Sequence, residues 1–94
     1  MSKHIILTAD DFGANDFIDN GIRMALEQGK INCVSCFVTH EDSINRIKSL
    51  HKDFPDLGIG LHFSITSGSP LASNVNNLTY SDHGIRRFRK AKNY

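Results

Sequence analysis

Residues 57–65, with the sequence LGIGLHFSI, have the alternating pattern of a β-strand. Side chains of a strand point to opposite faces in turn. The large apolar residues therefore share one face: Leu57, Ile59, Leu61, Phe63 and Ile65. The other face is nearly bare backbone with an imidazole near its end: Gly58, Gly60, His62 and Ser64. We expect an apolar layer such as a helix to pack on the first face. On the glycine face we expect another chemical group to approach the backbone closely.

Two further strands and a helix are predicted upstream. Residues 3–9 (KHIILTA) and 33–38 (CVSCFV) are short apolar runs with β-branched content, which is typical of buried strands. Between them, residues 15–28 have a helical period that ends at Gly29. The apolar face of this helix consists of Ile18, Ile22, Ala25 and Leu26.

A second helix is predicted between the second and third strands. Residues 39–42 (THED) resemble a capping box that opens it, and Pro55 ends it. Its expected inward side chains are Ile44, Ile47 and Leu50. The order is therefore β-α-β-α-β, and helical crossovers of this length imply parallel strands with right-handed connections. We assign the chain to the α/β class as a parallel βαβαβ unit.

The composition is that of one small globular domain. The chain has 94 residues, a formal charge of +1 and 39% hydrophobic residues, which argues against disorder. Its apolar runs are too short for a membrane span, and the first residues do not resemble a secretory signal. We therefore expect a cytoplasmic protein without membrane contact.

The basic residues are concentrated in the last part of the chain. Residues 1–73 carry a net charge of −3, and residues 74–94 carry a net charge of +4. We expect residues 1–73 to form the α/β unit and residues 74–94 to be a basic, weakly structured tail, with a weak helix at residues 83–91 (HGIRRFRKA). A basic patch attracts nucleic acid. The short run RRFRKAK favours a solvated tail, so we expect no nucleic-acid partner.

Cys33 and Cys36 form the sequence CVSC, a spacing that occurs in zinc and redox sites. A structural zinc site would need a second pair, which the sequence lacks. On a strand, positions three apart point to opposite faces, so the two thiols cannot act together. We expect both cysteines to be reduced thiols in or near the core.

Asp10 and Asp11 lie side by side in the sequence ILTADDFG (residues 6–13), at the end of the first predicted strand. Each carboxylate disfavours ionisation of the other. Ligands of parallel α/β sheets bind at the carboxyl ends of the strands, and His62 lies near that end of the third strand. Two carboxylates and a neutral imidazole suit a divalent cation such as Mg²⁺, Mn²⁺, Zn²⁺ or Fe²⁺. One aspartate can instead act as a general base on a water molecule.

Other interpretations of these residues stay open at this point. An aspartate pair after a strand is often a loop start and helix cap, and a single strand histidine is often structural. DFG (residues 11–13) also occurs in protein kinases, but no glycine-rich loop, lysine-bearing strand or HRD loop precedes it here. A receiver-like signalling domain also has an acidic pair after its first strand, but it needs an aspartate near the position of His62.

Four segments together resemble the amino-terminal portion of the YdjC-like carbohydrate deacetylases, a family that includes chitooligosaccharide deacetylase. They are IILTADDFG (5–13), NGIRMALEQGKI (20–31), VS (34–35) and PDLGIGLHFSITSGSPL (55–71). The resemblance covers about Lys3 to Leu71. It implies a (β/α) barrel of the polysaccharide-deacetylase type and hydrolysis of N-acetyl groups on a chitooligosaccharide-like substrate. It also implies a divalent metal, with Mg²⁺ favoured over Zn²⁺ or Mn²⁺.

The resemblance further implies a role for three residues. Asp10 would be the catalytic general base, and Asp11 and His62 would be metal ligands. The metal would polarise the acetyl carbonyl while a water deprotonated by Asp10 attacks it. The glycines beside His62 would leave room inside the barrel.

The chain also departs from the family pattern. A (β/α) barrel needs about 250 residues, and the family's further metal-binding histidine lies in a later segment that this sequence lacks. We therefore expect a truncated deacetylase that is inactive alone and associates with itself through open sheet edges. The alternative is a non-catalytic α/β binding or assembly module with a basic tail.

Overall fold

The computed structural model describes residues 2–74 and 78–90. Within them the elements are β1 (Thr8–Phe12), α1 (Asp16–Glu27), β2 (Cys33–Cys36), α2 (Ser43–Asp53), β3 (Gly58–Leu61), β4 (Thr79–Asp82) and β5 (Ile85–Phe88). The first three strands form a parallel sheet with β2 in the centre. The last two form an antiparallel hairpin. The predicted α/β class and parallel βαβαβ order are confirmed.

The limits of α1 follow from capping side chains and a glycine. Asn15 is the N-cap, and its Oδ1 accepts a hydrogen bond from the N–H of Ile18 at 2.9 Å. At the other end, Gly29 has φ +68°, and the N–H of Lys30 donates to the carbonyl of Ala25 at 2.9 Å. The helix predicted for residues 15–28 is therefore confirmed to within one residue at each end.

The core lies on one side of the parallel sheet, between the sheet and the two helices. Its buried members are Phe12, Ile22, Val34, Cys36 and Leu50. Both cysteines are free, with Cys33 half-buried and Cys36 buried, which agrees with the prediction of reduced thiols. Neither helix of the described residues is long and apolar enough to cross a membrane.

The capping box predicted at the start of α2 is wrong. α2 begins at Ser43, and its N-cap Asp42 makes no side-chain capping bond. The hydroxyl of Thr39 donates to the carbonyl of Ser67 at 2.9 Å, so a tertiary contact uses the group that would have capped the helix. The predicted inward side chain of Ile44 is 50% exposed.

The first predicted strand begins later than expected. β1 pairs with β2 only from Thr8 onward, and the side chains of residues 5–7 are exposed rather than buried. Asn32 holds this segment by its side chain, which accepts from the N–H of Leu7 and donates to the carbonyl of Ile5, each at 2.8 Å. Residues 3–7 therefore lie outside the sheet and do not cover the core.

The apolar face predicted for residues 57–65 is covered only at its start, where Leu57 packs against the core, and is exposed from the end of β3 onward. Leu61 and Phe63 are 65% and 77% exposed, and no described helix packs over them. On the glycine face, a Cβ at Gly58 would lie 2.5 Å from the Sγ of Cys33, which is the expected close approach, whereas Gly60 faces open space. The described strands form an open sheet, so the barrel stays a prediction.

The basic C-terminal segment contains a hairpin in place of the predicted weak helix. His83 and Gly84 both have positive φ, at 50° and 81°, which is the conformation that a tight two-residue hairpin turn requires. Thr79 and Phe88 are buried, and the N–H of Phe88 donates to the carbonyl of Gly68 at 2.8 Å. Residues 78–90 are thus packed against the preceding loop and are not a solvated tail. Residues 75–77 and 91–94 of the predicted tail lie outside the described residues.

Candidate active site

A β-bulge shapes β1 at the aspartate pair. Ala9 pairs with Val34 and Phe12 pairs with Cys36, so β1 has one residue more than β2 between these positions. Asp11 has φ +75°, a left-handed conformation that non-glycine residues seldom adopt. Bulges and strained residues of this kind concentrate at functional sites, where they redirect side chains. The sequence predicted a strand end here, but the pair lies inside β1.

The structure brings Asp11 and His62 together. Oδ1 of Asp11 lies 3.0 Å from Nδ1 of His62. The backbone positions the imidazole, because the N–H of His62 donates to the carbonyl of Cys36 at 2.8 Å just beyond the end of β3. The predicted convergence of the first and third strands at one edge of the sheet is therefore observed for these two residues.

The contact between these two side chains is close but is not a hydrogen bond. Nδ1 of His62 is buried and has no hydrogen-bond partner within the described part of the chain, because its geometry toward Asp11 is unsuitable. A buried polar atom without a partner is costly. The arrangement therefore leaves a carboxylate oxygen and a ring nitrogen facing the same space without satisfying each other.

This pair of atoms fits a divalent cation. Carboxylate oxygen and imidazole nitrogen are ordinary ligands of such ions, and about 3 Å separates two atoms that bind one ion at right angles with bonds of about 2.1 Å. The described residues contain no group of three or more His, Cys, Asp or Glu side chains that could hold a metal. Residues 2–74 and 78–90 therefore offer two protein ligands at this position.

Asp10, the predicted general base, is exposed within β1. Its carboxylate has no hydrogen-bond or ion-pair partner in the described residues. An acceptor that no neighbouring group occupies is open to water and substrate.

Phe37 is a site residue that the sequence analysis did not identify. Its ring stacks on the ring of His62, with centroids 4.3 Å apart and planes at 13°, and it is 7% exposed. The contact fixes the plane of the imidazole. Phe37 was assigned only to the predicted strand 33–38, but its position at the carboxyl end of that strand places it at the same edge as His62.

His40 also contacts Phe37, with ring centroids 4.9 Å apart and planes at 47°. Its Nε2 is 2.7 Å from Oγ of Ser67. Burial lowers the pKa of His40 below its usual value, while the negative charge of Asp11 opposes this shift and the positive charge of Arg87 adds to it. His40 is therefore within electrostatic reach of Asp11, a relation that the sequence pattern does not predict.

A polar cleft of about 690 Å³ has His40 in its lining, whereas Asp11 and His62 do not line it. It is bounded by the loop after β1, by the residues that precede α2 and by β5, which contribute Asn15, Glu41 and Arg87 among others. The first two segments follow carboxyl ends of parallel strands, which is where α/β sheets bind their ligands. The cleft is polar enough for a hydroxyl-rich ligand.

The fold and the site define an α/β protein with a carboxylate–imidazole pair at the carboxyl edge of a parallel sheet. The family model described as "YdjC-like protein" matches residues 4–93. The chain therefore belongs to the YdjC-like family, which confirms the resemblance seen in the sequence. The match continues beyond Leu71, where that resemblance was expected to end, and includes the hairpin.

Curated relatives of this chain are named as deacetylases. A carbohydrate deacetylase of Brevibacillus brevis is 33% identical over 90 residues, which cover 96% of this chain and 35% of the relative. A carbohydrate deacetylase of Geobacillus stearothermophilus is 35% identical over 77% of this chain and 29% of the relative. A chitooligosaccharide deacetylase of Enterobacter sp. (strain 638) is 35% identical over 77% of this chain and 28% of the relative. The chain spans about a third of the length of the curated relatives it matches. No solved structure matches it.

Proposed function

We propose that this chain takes part in the metal-dependent hydrolysis of N-acetyl groups on a carbohydrate of the chitooligosaccharide type. The observation that carries the proposal is the contact of Asp11 Oδ1 with His62 Nδ1 at 3.0 Å without hydrogen-bond geometry. Membership of the YdjC-like family supports it, since relatives are named carbohydrate and chitooligosaccharide deacetylases.

In this proposal each residue has a separate task. Asp11 and His62 hold a divalent cation, with Mg²⁺ favoured and Zn²⁺ or Mn²⁺ as alternatives. Such a cation, when bound, polarises a carbonyl oxygen toward attack. Asp10 accepts the proton of the attacking water, a task that suits an exposed carboxylate to which no residue of the described ranges is bonded. Phe37 holds the imidazole plane of His62, and the polar cleft receives the sugar.

The proposed reaction needs more than the described residues supply. Two protein ligands hold a divalent cation weakly, and the relatives that carry the deacetylase names are about three times as long as this chain. We therefore expect weak cation binding and little acetate release by this chain alone.

Titration of the full chain with Mn²⁺ tests the cation site. Asp11→Ala and His62→Ala should each reduce Mn²⁺ affinity, because each removes one of the two ligands. Asp56→Ala and His51→Ala are matched controls, since both side chains are exposed and lie outside the site. If the first pair binds Mn²⁺ as the unchanged chain does, the assignment of the site fails.

Acetate release from N-acetylated chitooligosaccharides tests the activity of the chain. We expect turnover close to the uncatalysed background. Rapid acetate release that Asp10→Asn abolishes would support the role of Asp10 but would show that the expected inactivity of this chain is wrong.

A second candidate function is an assembly module, favoured by the exposed apolar face of β3. Leu61, Phe63 and Leu71 are each more than 60% exposed, and such surfaces are typical of protein contacts. A nucleic-acid partner has less support than a protein partner. Arg87 of the hairpin is paired with Asp82 at 3.0 Å, so part of its charge is neutralised.

A further inference from the structure

Asp19 is a buried carboxylate whose two oxygens both accept hydrogen bonds. It projects from α1 and is 5% exposed. Oδ1 accepts from the backbone N–H of Gly13 at 2.7 Å, and Oδ2 accepts from Nη1 of Arg46 at 3.0 Å. The same guanidinium pairs with the exposed Asp16 at 2.6 Å. Burying a carboxylate costs free energy unless charged and polar groups compensate it. The hydrogen bonds from Gly13 and Arg46 provide that compensation for Asp19.

The hydrogen bond from Gly13 to Asp19 lies directly after the β-bulge that contains Asp11. Gly13 has φ +95°, and a Cβ there would lie 3.0 Å from the carbonyl oxygen of Phe37 and 3.2 Å from Cβ of Ser43. The turn between Asp11 and α1 therefore has little space in which to shift. Both helices and Phe37, the residue that follows β2, contribute to holding it.

We propose that Asp19, held by Arg46, is a positioning residue for Asp11. Asp19 does not bind the cation itself, since it is buried and both of its oxygens are occupied. By fixing Gly13 it maintains the unusual backbone conformation at Asp11 and keeps that carboxylate 3.0 Å from His62. This inference rests on the proposed function, because Asp11 must be a cation ligand for its position to matter.

Mn²⁺ affinity of the full chain, measured by isothermal titration calorimetry, tests the inference. Asp19→Ala removes the acceptor of the Gly13 N–H and one partner of Arg46. Groups that orient a metal ligand typically change metal affinity about 10–100-fold when removed. We expect Asp19→Ala to lose about 10-fold or more in Mn²⁺ affinity. Asp19→Asn keeps an acceptor oxygen for Gly13 and should lose less.

Asp53→Asn is the matched control for a purely structural effect. Asp53 accepts a hydrogen bond from Arg23 at 2.7 Å and so also ties α2 to α1, but it lies at the end of α2 that leads into β3. Both substitutions should lower the melting temperature, and only Asp19→Ala should weaken Mn²⁺ binding. An equal loss of affinity in the two variants, or unchanged affinity in a folded Asp19→Ala chain, overturns the inference.

Two further measurements distinguish failure of this inference from failure of the proposed function. If Asp11→Ala and His62→Ala leave Mn²⁺ affinity unchanged, the proposed cation site itself fails. In the metal-free chain, the amide proton resonances of Gly13 and Asp11 should both move in Asp19→Ala, and an unmoved Asp11 amide contradicts the positioning role. If Asp19→Ala does not fold, Asp19→Asn and Arg46→Gln replace it: each disturbs the Asp19–Arg46 contact and should reduce Mn²⁺ affinity less than the 10-fold expected for Asp19→Ala, and unchanged affinity in both variants overturns the inference.

Discussion

Cys36 shows how a single residue is affected by its surroundings. Its side chain is 1% exposed. Burial raises the pKa of the Cys36 thiol to about 11, and the nearby negative charge of Asp19 adds to this shift. The thiolate is the form that reacts with electrophiles, so at neutral pH this cysteine should be inert despite its place in a CxxC sequence.

We predict that Cys36 reacts with iodoacetamide at pH 8 about 100-fold more slowly than an ordinary cysteine, because raising the thiol pKa from 9.0 to about 11 lowers the thiolate fraction about 100-fold. The measurement is a labelling time course by mass spectrometry on the Cys33→Ser variant, with the same chain in urea as the reference. Equal rates in the folded and unfolded chains would contradict the burial of Cys36.

Among single residues, the sequence predicted the meeting of Asp11 and His62 but not how each is held. The meeting follows from strand direction, because the carboxyl ends of parallel strands share one edge. The bulge, the positive φ of Asp11 and the stack of Phe37 on His62 depend on contacts between distant segments. Local pattern carries no information about those contacts.

The helix α2 allows a direct comparison of a buried and an exposed apolar residue on one element. Leu50 is 0% exposed, whereas Ile44 is 50% exposed. We predict that Leu50→Ala lowers the free energy of unfolding by about 2–5 kcal/mol, because it leaves a cavity in the core. Ile44→Ala should change it by less than about 0.5 kcal/mol. Urea unfolding followed by circular dichroism measures both, and similar losses would contradict the observed orientation of α2.

The period of the hydrophobic residues predicted both helices correctly, whereas the expected capping residues did not predict where α2 begins. The spacing of Ile18 and Ile22 predicted α1. Its start could also be predicted, because the N-cap Asn15 is adjacent to the helix in the sequence. The start of α2 was predicted wrongly because Thr39 bonds to Ser67, which no local pattern reveals. The segment containing Ile85 was predicted as a helix but forms β5, since it pairs with β4 across a turn.

Charges of the hairpin and of the candidate site both act on the pKa of His40. Arg87 of β5 lowers the pKa of His40, and Asp11 raises it. Arg87→Gln should therefore raise the pKa of His40, and Asp11→Asn should lower it further.

The measurement is an NMR titration of the His40 ring protons, with Arg86→Gln as the control on the same strand. A His40 pKa that is unchanged in Arg87→Gln would show that the hairpin does not dock near the site in solution. Because the folded chain resists protonation of His40, this group also contributes stability above its usual pKa of 6.5. That stability is lost as the pH falls.

The molecule as a whole is less compact than an ordinary domain of its length. Its radius of gyration is 15.4 Å, whereas a compact chain of this length has about 12 Å. The core occupies one side of the sheet, and the apolar side chains at the end of β3 and just beyond it, Leu61 and Phe63, are exposed. The sequence predicted the chemical character of that face correctly. Whether another segment covers that face cannot be predicted from the residues of the strand itself.

We predict that the chain associates with itself through this face, because exposed apolar side chains beside a strand edge that none of the described strands pairs with favour contact with a second copy. The double variant Leu61→Thr with Phe63→Thr removes two large apolar groups and introduces β-branched residues, which suit a strand. Light scattering after size-exclusion chromatography should show a smaller mass for this variant than for the unchanged chain. Phe17→Thr is the matched control, since Phe17 is 89% exposed on α1. If the unchanged chain is monomeric at every concentration, or if Phe17→Thr reduces the mass equally, association does not depend on β3. The exposed face then has no role in assembly.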